Sequence, residues 1–453
     1  MARTLANSGY EAVGGTYDAS SKQFFDGVAE SLIPELFPLL KSLKEAGSIR
    51  RVKPKGKYIE FYVELNTGSG FGPRGENDYI PAADQMDGVV AQVPYQRGIK
   101  GRIGMTYEAM QFGKEGVGGF VDMKKQEMRG ALLTMKQHAI PMIWGNGDGV
   151  IAVIAKQNAT TAGVPNSTED YNTLQPGARW ISEGMSLIGT QAPGSNYAAD
   201  GDMTAAEIVS SVNSDVSITW SSAVTCGNAD NADRYLVEHH CADTGNATEI
   251  TKGSVSIGTA SSYRGSLGVN AMCDDSEQNF VSSYCGIDES TYAQWSAVIN
   301  HNSGAARAIS LDLFYQLYWK LTRKAGTYDP NLECWMNSDV HRYLTDLLEH
   351  FVEFKPRQLK PGFQAYDMVI NGVNIPIKID HACPTYIYFL NPKKMTFAQG
   401  CPPQISKETG SQWDRVTDKD SFEMFYRWIF QLYTKQRNNH GCIRDLDVSI
   451  TSI

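Results

Sequence analysis

Residues 368–379 read MVINGVNIPIKI, and residues 385–392 read TYIYFLNP. In the first stretch, two β-prone segments flank Asn371-Gly372, the dipeptide that most readily supplies two positive φ values in a two-residue hairpin. The second stretch is a mostly apolar and aromatic run of strand length that stops at Asn391-Pro392. The sequence therefore predicts a hairpin followed by a buried strand. Because Pro376 lacks a ladder donor, we expect its strand to carry a bulge or to turn that edge toward solvent.

A second informative stretch lies between residues 57 and 102. Tyr58 to Leu65 alternates polar and apolar side chains with the period of two that is typical of a strand with two different faces. A return strand is predicted over Val89 to Ile103. The segment between them is too long and too rich in Gly, Pro and Asn for a tight turn. Two such strands have no core of their own, so we expect this ribbon to lie on another surface.

Helical periodicity follows the ribbon. Thr106 to Ile140 is predicted to be helical, and we expect Pro141 to end its regular part. Ile151 to Lys156 reads as a short strand. From residue 158 to about 262 the chain is dominated by Thr, Ser, Asn, Gly and Ala with short β-prone pieces, which favours a small β-barrel or sandwich.

The last third of the chain mixes helices with strands. Ser310 is predicted to cap a helix that ends at Gly326, and Ser338 to cap a second helix after a strand over Glu333 to Met336. Apolar and aromatic residues alternate from Phe422 to Leu432 and predict a long strand. Gly441 to Val448 is expected to form a strand that returns after it.

The N-terminal region contains a basic segment. Residues 1–30 read as an extended arm, and Ile33 to Leu43 predicts a short helix that Pro38 kinks or shortens. The basic residues that follow face water in the simpler interpretation. The alternative is a contact with acidic groups on a neighbouring subunit or with DNA, and the residues concerned are Arg50, Arg51, Lys53, Lys55 and Lys57.

Composition limits the class of protein. The 453 residues are 42% hydrophobic and 20% charged, which is ordinary for soluble globular protein, and they suffice for two or three domains. The net charge of −9 argues against a protein whose whole surface binds nucleic acid. No apolar run is long enough to span a membrane, and the N-terminus lacks the apolar core of a secretion signal, so we expect synthesis in a cytoplasm. The eight cysteines form no CxxC pair, so reduced core thiols are expected, although a bridge between Cys273 and Cys285 remains open.

Three clusters could suggest enzyme or metal chemistry. Asp380, His381 and Cys383 fall within four residues, but they lie in one link between strands and match no ligand signature, so a structural role is the better explanation. Adjacent histidines on a strand point to opposite faces, which disfavours a metal site built from His239, His240, Cys241 and Cys226. Asp274 and Asp275 fit a solvated loop. No P-loop, GxSxG or HExxH occurs, so we expect no enzyme, metal or cofactor.

Taken together, the hairpin on Asn371-Gly372, the DHACP link and TYIYFLNPKKM resemble the closing segment of the major capsid protein of tailed bacteriophages. This resemblance implies an α+β fold with a long spine helix, an extended β-ribbon E-loop and a small β-barrel insertion. The implied divisions are an N-terminal arm and short helix (1–55), the E-loop (56–105), the P-domain spine helix and strand (106–157), the β-rich insertion (158–262), the A-domain (263–415) and C-terminal strands (416–453).

The resemblance also implies a function. Such proteins assemble into hexamers and pentamers of an icosahedral head, enclose double-stranded DNA without sequence specificity, and are built into the virion in the host bacterial cytoplasm. Partners would be other copies of the chain, a separate scaffolding protein, a portal and decoration proteins, with no membrane involved. At the E-loop tip we expect contact residues of the types enriched in interfaces, namely Phe71, Arg74, Glu76 and Tyr79.

One chemistry of the family is testable in the sequence. Some capsid proteins weld subunits through an E-loop lysine, and no lysine lies between Lys57 and Lys100, so no such cross-link is expected. The alternatives are an encapsulin-like shell around a protein cargo, a β-rich surface binding protein and a metal-dependent hydrolase that uses His239 or His381.

Overall fold

The computed structural model describes residues 37–52, 58–64, 75–76, 78–79, 88–94, 98–107, 123–145, 150–154, 158–163, 178–190, 207–214, 217–225, 234–238, 266–274, 283–303, 305–326, 331–349, 367–370, 372–405, 414–416 and 420–447. The chain divides into two compact units. The first comprises residues 1–36, 98–139 and 400–429, and the second comprises residues 37–97, 140–399 and 430–453. Among the described residues, no helix combines the length and apolar character needed to cross a membrane.

The helices are α1 (Pro38–Glu45), α2 (Met123–Trp144), α3 (Val269–Met272), α4 (Leu311–Ala325) and α5 (Ser338–Glu349). The strands of the first third are β1 (Ile49–Arg51), β2 (Tyr58–Glu64), β3 (Gly88–Pro94), β4 (Gly98–Thr106), β5 (Val150–Ile154) and β6 (Asn158–Gly163). Those of the middle are β7 (Ser186–Thr190), β8 (Glu207–Ser214), β9 (Ser217–Thr225), β10 (Arg234–Glu238), β11 (Ser283–Tyr284), β12 (Ile287–Asp288) and β13 (Val298–Asn300). The remaining strands are β14 (Glu333–Met336), β15 (Asp367–Ile370), β16 (Val373–Ile379), β17 (Ile387–Leu390), β18 (Met395–Ile405), β19 (Asp414–Arg415), β20 (Ser421–Thr434) and β21 (Gly441–Ile443).

A mixed sheet of order β13-β21-β17-β14-β16-β15 forms the core of the second unit. Strands β15 and β16 pair antiparallel with Ile370 opposite Val373, and Gly372 has a φ of +79°, so the predicted hairpin is confirmed. Strand β17 is buried along its whole length, as predicted. Residues from α4 and α5, including Phe314, Leu317 and Leu344, pack on this sheet in one hydrophobic cluster.

The expectation for Pro376 was wrong, because β16 is an inner strand with β15 on one side and β14 on the other. Pro376 pairs with Asp367, the first residue of β15, and the parallel ladder with β14 begins only at Ile377. Its missing donor therefore falls at the ends of both ladders, where it interrupts neither.

The caps of the two core helices differ in part from the prediction. Gly326 ends α4 with a φ of +67°, as predicted, but Ser310 makes no side-chain hydrogen bond at its start. At α5 the cap is Asn337, one residue before the predicted Ser338, and its Oδ1 accepts from the Val340 N–H at 2.8 Å.

The helix predicted over Thr106 to Ile140 is confirmed from Met123 onward, residues 108–122 lie outside the described residues, and the prediction is wrong at Thr106 and at Pro141. Thr106 belongs to β4, and Pro141 lies inside the helix, which continues to Trp144. The Gly145 N–H donates to the Pro141 carbonyl at 2.8 Å, so a turn continues beyond the proline. A proline in a helix loses its N–H donor and crowds the carbonyl four residues earlier, but the burial of Met142, Ile143 and Trp144 favours continuing the helix.

The predicted return strand is two strands with different partners. β3 pairs with β2 in a two-stranded ribbon, whereas β4 pairs with β20 in the first unit. The long alternating strand is confirmed as β20, where Met424, Tyr426, Trp428 and Phe430 are buried. The expected return after Gly441 does not pair with β20, because β21 joins β13 and β17 instead.

The Thr/Ser/Asn-rich middle forms an antiparallel sheet of order β5-β10-β7-β8-β9-β6. Its end strands, β5 and β6, are joined by only three residues. In a flat sheet five spacings of about 4.8 Å would separate them by about 24 Å, whereas four Cα steps span at most about 15 Å. The sheet must therefore curl until its edges approach, which is the geometry of the small barrel predicted from composition.

Candidate subunit-contact surfaces

One face of the β2–β3 ribbon is buried against its own subunit. Phe61, Val63, Ala91 and Val93 are buried, and the Phe61 ring stacks on Tyr433 with ring centroids 5.5 Å apart. The Gln92 N–H also donates to the Cys285 carbonyl at 2.9 Å. The base of the ribbon is thus fixed by packing and by a backbone hydrogen bond.

The opposite face of the ribbon is exposed and mixes apolar with acidic side chains. Tyr62 and Val90 are cross-strand partners, and they are 57% and 54% exposed. Tyr58, Glu60 and Glu64 are exposed on the same face because alternate residues of a strand share a face. The ribbon therefore has one buried face and one exposed face that combines apolar and acidic side chains. This outer ribbon face is defined by Tyr58, Glu60, Tyr62, Glu64 and Val90.

Only part of the predicted E-loop tip is described. Asp78 closes a short turn, since its carboxylate accepts from the Gly75 N–H at 2.8 Å. Glu76 is exposed, and Tyr79 is 96% exposed. Phe71 and Arg74 lie outside the described residues. Tyr79 is therefore free of intrachain packing and available to a neighbouring molecule.

A second exposed surface lies on the first unit. The register of β4 with β20 places Lys100, Arg102, Glu423, Phe425 and Arg427 on one face of the ladder. Lys100 and Arg102 are exposed, Phe425 is 39% exposed, and Arg102 lies 3.5 Å from Glu423. Three cations against one carboxylate leave this cationic sheet face with positive charge.

The basic segment is only partly described. Arg50 and Arg51 are exposed on β1, which pairs in parallel with β18. Lys53, Lys55 and Lys57 lie outside the described residues. The exposed arginines agree with a solvated face.

Two buried arginines were missed by the sequence reasoning. Arg437 is fully buried, forms an ion pair with Glu289, and donates to the Met272 carbonyl at 2.8 Å and the Ala271 carbonyl at 2.9 Å. These carbonyls are the last ones of the short helix α3, and the last carbonyls of a helix have no intrahelical N–H partner. The arginines follow a strand that reads as apolar, and no spacing in the sequence marks them as buried.

Arg444 has a similar role, which corrects the prediction for Asp274. Asp274 is fully buried rather than solvated, and its carboxylate lies 3.6 Å from the Arg444 guanidinium. Arg444 also donates to the Cys273 carbonyl at 3.0 Å. Asp275 lies outside the described residues. The pair therefore stabilises the interior rather than a surface loop.

The candidate enzyme and metal residues do not converge. Asp380 is buried and accepts from the Ala382 N–H at 2.9 Å, and burial raises its pKa, whereas His381 is exposed. Burial also raises the pKa of the Cys383 thiol well above its usual value, which disfavours a nucleophilic thiolate. Cys273 and Cys285 are buried free thiols. His239, His240, Cys241 and Cys226 lie outside the described residues. Within the described part of the chain, no three His, Cys, Asp or Glu side chains are grouped to hold a metal.

Comparison with known proteins places this architecture. No protein-family model matches the sequence, and no curated protein matches it either. Among solved structures, the capsid protein of cyanophage A-1(L) superposes with a TM-score of 0.51 at 15% identity over 93% of this chain and 96% of the phage chain. The fold is thus that of a virus shell protein. More particularly, the chain has the tailed-phage major capsid protein fold that the resemblance predicts.

Two further structures are more distant. The capsid of a native GTA particle aligns with 98% of this chain and all of that chain at 10% identity and a TM-score of 0.43. The SrpI encapsulin of Synechococcus elongatus aligns with 98% of this chain and 97% of that chain at 7% identity and a TM-score of 0.37. Both likenesses are too low to support an inference about this chain.

Proposed function

We propose that this chain is a major capsid protein that assembles into hexamers and pentamers of an icosahedral phage head and encloses double-stranded DNA. The observation that carries the proposal is a pair of complementary exposed surfaces on a chain with a capsid-protein fold. The outer ribbon face is apolar and acidic, and the cationic sheet face carries an exposed phenylalanine beside its cations.

The two surfaces match in charge and in apolar character. Glu60 and Glu64 can meet Lys100 and Arg102 of another copy, while Tyr62 covers Phe425. Such a contact joins different surfaces of identical subunits, so it is heterologous and generates a ring when the rotation closes. Charge complementarity of this kind sets register and excludes wrong partners more than it adds affinity.

The E-loop tip belongs to the same proposal. Phe71, Arg74, Glu76 and Tyr79 would contact the neighbouring subunit, and the 96% exposure of Tyr79 supports this role. No lysine occurs from residue 58 to residue 99, so the contact would be non-covalent. The protein would act through geometry rather than catalysis.

The remaining parts of the proposal concern partners and place. Other copies of the chain are the main partner, with a separate scaffolding protein, a portal and decoration proteins as the others. Assembly would take place in the host bacterial cytoplasm, and the mature location would be the virion. The fold likeness to a cyanophage capsid supports this assignment.

The test is negative-stain electron microscopy with size-exclusion chromatography of the full chain, expressed alone and with a candidate scaffolding protein. We expect closed shells or rings of five and six subunits. Nuclease-protected DNA in shells from infected cells would support the proposal that the shell encloses a genome. A protein cargo inside the shells would instead support an encapsulin-like compartment. A stable monomer under every condition would refute the proposal.

A further inference from the structure

The buried His440 lies where two connections run between the sheet that contains β17 and the sheet that contains β18 and β20. The chain leaves the β17 sheet for β18 through the turn at 391–394, and returns from β20 to β21 through residues 435–440. His440, at the end of the second connection, is fully buried. Its imidazole contacts Asn391 of the first connection, 49 residues earlier in the sequence, and Thr434 at the end of β20.

Hydrogen bonds define the state of this imidazole. The Asn391 backbone N–H donates to Nδ1 of His440 at 3.3 Å, so Nδ1 is an acceptor. Nε2 lies 3.2 Å from the Thr434 hydroxyl oxygen. That hydroxyl already donates its only hydrogen to the Lys394 carbonyl at 3.0 Å, so it accepts from Nε2–H. His440 is therefore held as the neutral tautomer with its proton on Nε2.

Protonation would remove this arrangement. A proton on Nδ1 turns the acceptor into a donor that faces the Asn391 N–H, so two donors oppose each other in a buried site. The two connections carry four cations, Lys393, Lys394, Lys435 and Arg437, and no carboxylate, so no anion within them favours an imidazolium. The buried carboxylates of Glu289 and Asp274 are paired with Arg437 and Arg444.

We propose that His440 is a proton-sensitive clasp that holds the two sheet connections together at neutral pH and releases them on mild acidification. The clasped state binds no proton on the imidazole, whereas an opened histidine titrates near pH 6.5. The opening equilibrium therefore rises about tenfold between pH 7.0 and 5.5. Loss of the His440 hydrogen bonds would let the strands on either side of the two connections change their relative orientation while both sheets stay paired.

The experiment is hydrogen exchange measured by mass spectrometry on the full chain at pH 7.0 and 5.5, after correction for intrinsic exchange rates. We expect protection to fall about tenfold in peptides that cover residues 388–396 and 432–443. Peptides that cover the β15–β16 hairpin, which two strands of the sheet separate from β21, should keep their protection. Ordinary carboxyl groups titrate near pH 4, but the chain has seven other histidines and burial raises the pKa of Asp380, so variants are needed to assign the response to His440.

Three variants separate the clasp from general acid effects. His440→Asn keeps an acceptor near the Asn391 N–H but cannot be protonated, so its exchange should no longer depend on pH in this window. Thr434→Val deletes the Nε2 acceptor, so the same peptides should open at both pH values. His381→Gln removes an exposed histidine and should retain the full wild-type response.

Two results would overturn the clasp. One is wild-type protection of the two connections that does not change between pH 7.0 and 5.5. The other is a pH response that His440→Asn retains. If His440→Asn fails to fold, the first result still decides the question on the wild-type protein. The test needs no shell, so its outcome is independent of the proposed capsid function.

Discussion

Replacing Tyr62 by alanine tests the outer ribbon face most directly. A tyrosine side chain can bury roughly 200 Å², and 57% of Tyr62 is exposed in the single subunit, which leaves about 110 Å² for a neighbour to cover. At about 25 cal/mol per Å², covering this area contributes about 2–3 kcal/mol to each contact. The ring lies along Gly88 of the partner strand, so its orientation is fixed before contact.

The expected effect on assembly follows from this free energy. About 2–3 kcal/mol corresponds to a roughly 30- to 140-fold rise in the subunit concentration at which assemblies form. The measurement is light scattering and size-exclusion chromatography of wild type and Tyr62→Ala over a dilution series. Thermal unfolding of the unassembled subunit should change by less than about 1 kcal/mol, because the replaced ring is mostly in water.

Tyr315→Ala is the matched control, because Tyr315 is 44% exposed on α4 and lies outside both proposed contact surfaces. It should leave the assembly concentration within about threefold of wild type. An unchanged assembly concentration for Tyr62→Ala, or an equal shift for both variants, would refute the role of the ribbon face.

Three further predictions follow from the described contacts. Glu60→Lys should weaken assembly by about 1 kcal/mol per contact, and adding Lys100→Glu to the same chain should restore the wild-type assembly concentration. If the double variant instead shows the sum of the two single losses, the pairing of Glu60 with Lys100 is contradicted. Arg437→Met should cost about 3–5 kcal/mol in urea unfolding because it leaves the buried Glu289 carboxylate without its partner, and a loss below about 1 kcal/mol would contradict this account. Site-resolved maleimide labelling of the native chain at pH 8 should modify the half-exposed Cys401 and spare buried thiols such as Cys285. The thiolate is the reactive form, and burial raises the pKa of Cys285 to about 12. Rapid labelling of Cys285 would show that its surroundings open.

The buried arginines show what local sequence reasoning cannot reach. Arg437 and Arg444 follow the alternating strand and precede a polar tail, and a charged residue in that position ordinarily faces water. Their burial depends on the free carbonyls of α3 and on the carboxylates of Glu289 and Asp274, which are 148 and 170 residues away in sequence. Only the fold brings those acceptors together.

Local chemistry determined much of the fold. The Asn371-Gly372 turn, the fully buried β17 and the alternation along β20 each follow from residues close in sequence, because turn dihedrals and strand faces are set locally. The β-barrel or sandwich predicted for the Thr/Ser/Asn-rich middle agrees with its single antiparallel sheet. The same local signals indicated the capsid-protein resemblance that the cyanophage structure supports at the level of fold.

Tertiary partners determined the rest. The sequence reads Val89 to Ile103 as one strand, yet β3 and β4 pair with different partners, since pairing is chosen by distant strands rather than by propensity. Helix α2 continues past Pro141 because the burial of the turn that follows outweighs the loss of the proline's backbone N–H donor. Lys100, Arg102 and Phe425 form one surface only through the β4–β20 register, and His440 meets Asn391 only where the two sheet connections cross. Sequence alone therefore determined most of the elements, and the long-range pairing of strands determined the surfaces and the buried polar contacts.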